Sequence, residues 1–287
     1  MRPSRSEFVT LFERRYHVRI WGEEGAPIFF FLHGWGDMSA SFQFVVDALA
    51  KNWRVIAPDW RGFGLSQWND GAYWFLDYLA DLDALLEHYS PHQPAKIAGH
   101  SMGGIVASLY AGIRPERVTR LASLEGFVLW TTTPGESPEQ CGKWLHQIRE
   151  GHAGFRPYRQ RAEFADRLCH DNPRLTPERA DFLAEHLLRV TPEGFTFAAD
   201  PSHRWVSPVL YPPEEAKACW RRIQAPTLWV AGVDSFVMKQ FAEHPDEYRE
   251  RQACFADVSE MLLDDCGHNV HHDQPETIAR LLDDFFA

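Results

Sequence analysis

The sequence predicts an α/β fold, with a mostly parallel sheet flanked by helices and interrupted by a helical insertion. Short apolar segments of strand length alternate with helical patterns up to about residue 130 and again from residue 226. Between these regions, residues 131–215 are charged, contain prolines and follow a helical period without a convincing strand. Strands that alternate with helices form βαβ units, which build parallel sheets covered on both faces.

The elements follow one another in a regular order. Before the insertion, the predicted strands are YHVRIW, IFFFLHG, WRVIAPD, KIAGHS and RLASLEGFVL, and the predicted helices are SASFQFVVDALA, FLDYLADLDALLEHY and GIVASLYAGI. After it come the strand APTLWVAGVD, the helix FAEHPDEYRERQ, the strand ACFADVSEMLLDDCGH and the helix ETIARLLDDFF. We therefore predict a core domain of residues 1–129 and 216–287 and a helical cap of residues 130–215.

Composition narrows the possible partners and compartment. The chain of 287 residues is 45% hydrophobic and has a formal net charge of −11. This charge repels nucleic acids and anionic membranes, so we expect neither as a partner. The longest purely apolar run, residues 28–32, is far shorter than a membrane span, and the N-terminal residues contain no signal-peptide core. We expect a soluble, cytoplasmic protein.

The five cysteines are widely spaced, odd in number and without a CxxC pair. This pattern favours reduced thiols over a disulfide framework or a zinc site.

One short motif predicts a nucleophile. Gly99, His100, Ser101, Met102 and Gly103 form a G-x-S-x-G pattern between a predicted strand and a predicted helix. Glycines at these positions allow a sharp turn that other backbone segments can approach closely. A phosphate-binding loop is excluded, because neither G-x-G-x-x-G nor a lysine followed by serine or threonine is present there.

A serine hydroxyl needs a base within hydrogen-bond reach. His268 ends the last predicted strand, so it lies at the same edge of the sheet as Ser101, where open α/β sheets bind ligands. His271 and His272 follow closely, but no carboxylate or cysteine stands near them at accepted zinc spacing. We therefore predict no metal site and no cofactor.

A serine nucleophile also needs donors for the developing oxyanion. The residue after the nucleophile, Met102, is one expected donor through its backbone N–H. The second is Trp35, which follows the strand end at His33 and Gly34.

Four motifs in this order resemble the α/β-hydrolase fold family: HGWGD, DWRGFGLS, GHSMGG and GHNVHHDQPE. The resemblance covers essentially the whole chain, with residues 130–215 as the helical cap. It implies that Ser101 is the nucleophile, that His268 is the base and that Trp35 and Met102 form the oxyanion hole.

The triad acid departs from the pattern of that family. The usual acid follows the strand after the cap as glycine, two residues and aspartate, but Asp234 stands only two positions after Gly232. Glu125, which ends the strand before the cap, occupies the place where some relatives carry their acid. We predict Asp234 as the acid, with Glu125 as the alternative. Asp264 and Asp265 are further candidates.

The resemblance also narrows the chemistry. Haloalkane dehalogenases and epoxide hydrolases of this family use an aspartate where this chain has Ser101, so alkyl-enzyme chemistry is not expected. We predict a serine hydrolase that cleaves a small or medium carboxylic ester through an acyl-enzyme intermediate. The alternatives are a carbon–carbon bond hydrolase acting on a diketone or ring-cleavage product, and a non-catalytic ligand-binding receptor or scaffold.

Aromatic residues in or beside the predicted cap indicate an apolar or aromatic group on the small-molecule substrate. The alternative is that they hold the cap on the sheet. They are Trp130, Trp144, Trp205, Phe155, Phe195 and Phe197.

Overall fold

The computed structural model describes residues 1–126, 133–151 and 154–287, so that Trp130 lies outside the described residues. The strands are β1 (Ser4–Leu11), β2 (Arg14–Trp21), β3 (Ile28–Leu32), β4 (Arg54–Pro58), β5 (Ala95–His100), β6 (Val118–Leu124), β7 (Leu188–Thr191), β8 (Gly194–Phe197), β9 (Thr227–Gly232) and β10 (Val258–Leu263). The helices are α1 (Gln43–Ala48), α2 (Phe75–Tyr89), α3 (Met102–Ile113), α4 (Ser137–Glu150), α5 (Arg161–Asp171), α6 (Pro177–Leu187), α7 (Pro213–Trp220), α8 (Phe236–Glu243), α9 (Pro245–Gln252), α10 (Val270–Asp273) and α11 (Pro275–Phe286).

Eight strands form one sheet in the order β1-β2-β4-β3-β5-β6-β9-β10. The pairs β1–β2 and β2–β4 are antiparallel. The other neighbouring pairs of this sheet are parallel: β4–β3, β3–β5, β5–β6, β6–β9 and β9–β10. The predicted mostly parallel α/β sheet is therefore confirmed. Strand β1 was not predicted, because only one of its residues is buried and its apolar pattern is correspondingly weak.

Helices cover both faces of this sheet. Strand β3 is apolar throughout and does not alternate apolar with polar residues, because both of its faces contact helices. Phe29 and Phe31 pack into the cluster with α1 and α11, while Phe30 and Leu32 pack into the cluster with α2 and α3. Both faces of the strand are buried, as is typical of parallel sheets between helix layers.

The insertion between β6 and β9 contains α4 to α7 and one unpredicted element, the antiparallel hairpin β7–β8. Gly194 has a φ of 124°, a conformation that glycine adopts freely where the hairpin turns. Helix α7 crosses the predicted boundary at residue 215 and packs on α3, where Trp220 Nε1 donates to Ser108 Oγ at 3.1 Å. The division into core and cap stays a prediction.

Polar contacts fasten the insertion to the C-terminal part of the chain. Asn172 Nδ2 donates to Asp273 Oδ1 at 2.6 Å, and Arg179 donates to the His272 carbonyl oxygen and to Glu276, both at 3.0 Å. These contacts place the segment between α5 and α6 above the carboxyl ends of the strands.

Within the described ranges, no helix combines the length and the apolar character needed to cross a membrane. The cytoplasmic location stays a prediction.

Helix α3 begins unusually close to the sheet, because glycines form the contact surface. A Cβ atom on Gly103 would lie 2.3 Å from the Leu32 carbonyl oxygen, and one on Gly99 would lie 2.4 Å from the Gly103 carbonyl oxygen. Since both obstacles are backbone atoms, they cannot move aside as a flexible side chain would. The glycines thereby set the position of the β5–α3 turn.

We expect Gly103→Ala to lower the free energy of unfolding by about 3 kcal/mol or more, because the added methyl group overlaps the β3 backbone. Urea unfolding measures this change. The matched control is Gly142→Ala in α4, where nothing lies within 4 Å of the added atom. It should leave stability unchanged or raise it by up to about 1 kcal/mol, since alanine favours helix. Equal effects of the two substitutions would contradict the packing account.

Candidate active site

Ser101 occupies the turn between β5 and α3 with a φ of 50° and a ψ of −119°. This left-handed conformation is unfavourable for a residue with a side chain and is typical of functional sites held by surrounding structure. Its backbone N–H donates to the Leu124 carbonyl oxygen at 2.8 Å, and its carbonyl oxygen accepts from the Ile105 N–H at 3.0 Å. These bonds tie the turn to β6 on one side and to the first turn of α3 on the other.

His268 lies between β10 and α10, and its imidazole meets a buried carboxylate. Its Nδ1 is 3.0 Å from Glu125 Oε2, although the two residues are 143 positions apart in the chain. Glu125 directly follows β6, and its side chain is fully buried. The parallel strands β6, β9 and β10 end at the same sheet edge, which brings these loops together.

Two further donors hold the Glu125 carboxylate. Its Oε1 accepts from the Gly232 N–H at 2.6 Å, and its Oε2 accepts from the Ser235 hydroxyl at 2.7 Å. Ser235 stands three positions after Gly232, where the family pattern expects the acid. Ser235 was not among the predicted site residues, although its position relative to Gly232 is a signal in the sequence.

The favoured acid, Asp234, contacts a different partner. Its carboxylate pairs with the Arg174 guanidinium, which also donates from Nε to Asp265 Oδ1 at 2.9 Å. Nearly half of the Asp234 side chain is exposed. The turn after β9 is one residue shorter than the family pattern requires for an acid that points to His268. The Asp234 side chain therefore joins the ion pairs between the insertion and the rest of the protein.

The two expected oxyanion donors belong to the first turn of α3 and to the loop after β3. Met102 begins α3, so its N–H belongs to the first turn, where backbone donors lack helical acceptors. Trp35 follows Gly34, and a Cβ on Gly34 would lie only 3.1 Å from Ser101 Cβ. The loop after β3 therefore passes directly beside the serine, and the oxyanion role of both residues stays a prediction.

Three of the predicted site residues line a cavity of about 230 Å³. Ser101, His268 and Trp35 line it from the sheet side. The insertion contributes polar Asp171 and Asn172 and a set of aliphatic side chains. These are Leu168, Leu175, Leu183 and Leu187.

The predicted aromatic residues of the cap lie elsewhere. Phe155 and Phe197 pack edge to face at 5.2 Å, and Trp144 lies 6.5 Å from Trp74 between ring centroids. Among the described residues that line the cavity, Trp35 is the one tryptophan, tyrosine or phenylalanine. Phe155, Phe197 and Trp144, each half-buried, therefore contact other aromatic side chains and do not line this cavity.

A second chain of serine, histidine and aspartate occurs away from the cavity. Ser6 Oγ lies 2.9 Å from His17 Nε2, and His17 Nδ1 lies 2.8 Å from Asp59 Oδ2. Burial alone would raise the pKa of the Asp59 carboxyl, but hydrogen bonding to His17 and to backbone donors holds it well below its usual range. Ser6 is exposed on β1 in ordinary strand conformation, so this chain resembles the first in residue types but not in backbone geometry.

Comparisons with known proteins agree with this fold. A family model described as alpha/beta hydrolase fold matches residues 27–275. A serine hydrolase-like protein of Danio rerio is 28% identical over 93% of this chain and 83% of its own length. A pimeloyl-[acyl-carrier protein] methyl ester esterase of Yersinia pseudotuberculosis is 34% identical over 42% of this chain and 45% of its own.

Solved structures show the same architecture. The thioesterase domain from the curacin biosynthetic pathway has a TM-score of 0.87 at 23% identity, covering 98% of this chain and 99% of that one. At such identity the likeness shows the fold alone. Together with the family model, it establishes that this chain belongs to the alpha/beta hydrolase fold family.

Proposed function

We propose that the protein is a serine hydrolase that cleaves small carboxylic esters through an acyl-enzyme intermediate. One observation carries the proposal: the 3.0 Å contact between His268 Nδ1 and buried Glu125, at a cavity that Ser101 also lines. A base oriented by a buried carboxylate, beside a serine in a strained turn, is the arrangement that acyl transfer requires. In this proposal Glu125 replaces Asp234 as the triad acid.

The reaction follows from these positions. Ser101 Oγ attacks the ester carbonyl while His268 Nε2 takes its proton, and Glu125 stabilises the imidazolium through Nδ1–H. The backbone N–H groups of Trp35 and Met102 receive the oxyanion, each contributing about 3–4 kcal/mol of transition-state stabilisation. His268 then protonates the leaving alcohol, and water activated by the same imidazole releases the acid and regenerates Ser101.

The bonds to Glu125 support its role as an orienting group. The Gly232 N–H and the Ser235 hydroxyl each donate to one oxygen of the Glu125 carboxylate. These two bonds fix the orientation of the carboxylate toward the imidazole. A fixed carboxylate keeps the His268 proton on Nδ1 and its Nε2 free to accept.

The cavity supports a small substrate with an aliphatic part. Its volume of about 230 Å³ is below the roughly 300–1,000 Å³ of sites for drug-sized ligands. Four leucines of the insertion offer an apolar surface, and Asp171 and Asn172 add polar groups. We therefore favour short aliphatic acyl groups over aromatic ones.

The names of the relatives fit this proposal. One relative is named an esterase, and one structural neighbour is a thioesterase domain. A carbon–carbon bond hydrolase would use the same residues, so a panel of short esters, thioesters and diketones separates the two functions. Preferential cleavage of the diketones would favour the alternative.

Replacement of the nucleophile tests the reaction. We expect Ser101→Ala to lower kcat on p-nitrophenyl acetate and butyrate by about 10⁴-fold or more, because the acyl-enzyme cannot form. The matched control is Ser6→Ala, which also removes a hydroxyl next to a histidine and aspartate pair. It should leave kcat unchanged. Full activity in Ser101→Ala, with its fold verified by circular dichroism, would refute the assignment.

Paired substitutions test the acid. We expect Glu125→Gln to lower kcat by about 10³–10⁴-fold, because the imidazole loses the carboxylate that orients it and stabilises its charge. Asp234→Asn should change kcat only slightly, since its carboxylate faces Arg174. Steady-state kinetics on one short ester, with urea unfolding as the check on stability, measures both. The reverse ranking would assign the acid to Asp234.

A further inference from the structure

Three side chains of metal-ligating type meet beside the active-site cavity, and two of them, Asp37 and His100, line it. Asp37 follows β3, His100 ends β5 and His271 lies in α10. One ligand atom from each lies within 4.8 Å of the others. Asp37 Oδ2 is 3.3 Å from His271 Nε2, and the rings of His100 and His271 are 4.3 Å apart between centroids.

The ring nitrogens of these histidines are available as ligands. His100 Nε2 lies 2.9 Å from the His268 carbonyl oxygen, which only accepts, so Nε2 carries the proton and Nδ1 presents a lone pair. Among the described residues, no hydrogen bond reaches His100 Nδ1 or either ring nitrogen of buried His271, whose Nε2 has the 3.3 Å contact with Asp37 Oδ2.

The carboxylate is oriented by its own neighbours. Asp37 Oδ1 accepts from the Met38 N–H at 2.8 Å, and Oδ2 accepts from the Ser41 hydroxyl at 2.7 Å. A carboxylate oxygen retains a further lone pair when it accepts one hydrogen bond. Such bonds from neighbouring groups are the usual support of a metal-binding carboxylate.

We propose that Asp37, His100 and His271 bind one transition-metal ion of the Zn²⁺ type, which enters through the active-site cavity. Two imidazoles and one carboxylate form a donor set that suits zinc and its first-row neighbours. Since Asp37 and His100 line the cavity, a fourth coordination position can open toward it.

The distances fit such an ion after small adjustments. Tetrahedral ligands at 2.0–2.1 Å from zinc lie about 3.3 Å from one another. Asp37 Oδ2 and His271 Nε2 already have this separation, and the remaining ligand atoms need to approach by about 1.5 Å at most. The spacing of His271 and His272 within one segment predicted no metal, whereas the fold adds Asp37 and His100 from distant positions.

Metal binding has a consequence that rests on the proposed function. His100 precedes Ser101, and its ring centroid is 5.0 Å from that of His268. A divalent cation on His100 opposes the positive charge that His268 acquires as a base. Zn²⁺ should therefore inhibit ester hydrolysis reversibly, with activity restored by a chelator.

Calorimetric titration of the metal-free protein with Zn²⁺ tests the site without using activity. We expect saturable binding of one ion per chain, weakened at least ~10-fold by His271→Gln and by Asp37→Asn. The matched control is His88→Gln, which removes an exposed histidine of α2 and should bind as the unchanged protein does. Urea unfolding shows whether each variant is folded.

A fourth variant separates the proposed site from the catalytic histidine. His268→Gln should retain Zn²⁺ binding, because His268 is not among the proposed ligands. Loss of binding in His268→Gln with retention in His271→Gln would overturn the site, as would equal binding by all variants. If the protein binds Zn²⁺ as expected but hydrolyses no ester, the proposed function fails while the metal site stands.

Discussion

The hydrogen bond between Glu125 and His268 depends on nearly every feature of the fold. It joins the ends of β6 and β10, which are separated by β9 in the sheet and by 143 positions in the chain. Parallel pairing of these strands through β9 brings their carboxyl ends to one edge of the sheet, where β6 is largely buried and β10 is the mostly exposed edge strand. The same edge carries the turn with Ser101. A buried carboxylate without donors would be costly, and three hydrogen bonds to Glu125 remove that cost.

The contact also explains the ion pairs of Asp234. Because Glu125 fills the space beside the imidazole, the turn after β9 supplies Ser235 as a donor to Glu125. Asp234, one position earlier, points to Arg174 of the insertion. The Asp234 carboxylate, near the site, thus forms one contact between the insertion and the core. A surface ion pair of this kind contributes little energy by itself, so its effect lies mainly in orientation.

Sequence reasoning predicted most of the fold and part of the site. The apolar strands and the G-x-S-x-G turn are local patterns, so the parallel sheet and the place of Ser101 could be predicted from adjacent residues. The contact between His268 and its carboxylate is long-range. Whether the turn after Gly232 can supply that carboxylate depends on the length of the turn. The Asp37, His100 and His271 cluster was missed for the same reason, since no local spacing relates three separate loops. The hairpin β7–β8 was missed because its two strands have four residues each.

The central claim is that Ser101 is a nucleophile activated by His268. Reaction of the protein with a fluorophosphonate, followed by mass spectrometry of its peptides, tests this claim most directly. We expect one adduct per chain, on the peptide that contains Ser101, and its loss in His268→Gln. An unlabelled protein, or an adduct on Ser6 in place of Ser101, would contradict the account.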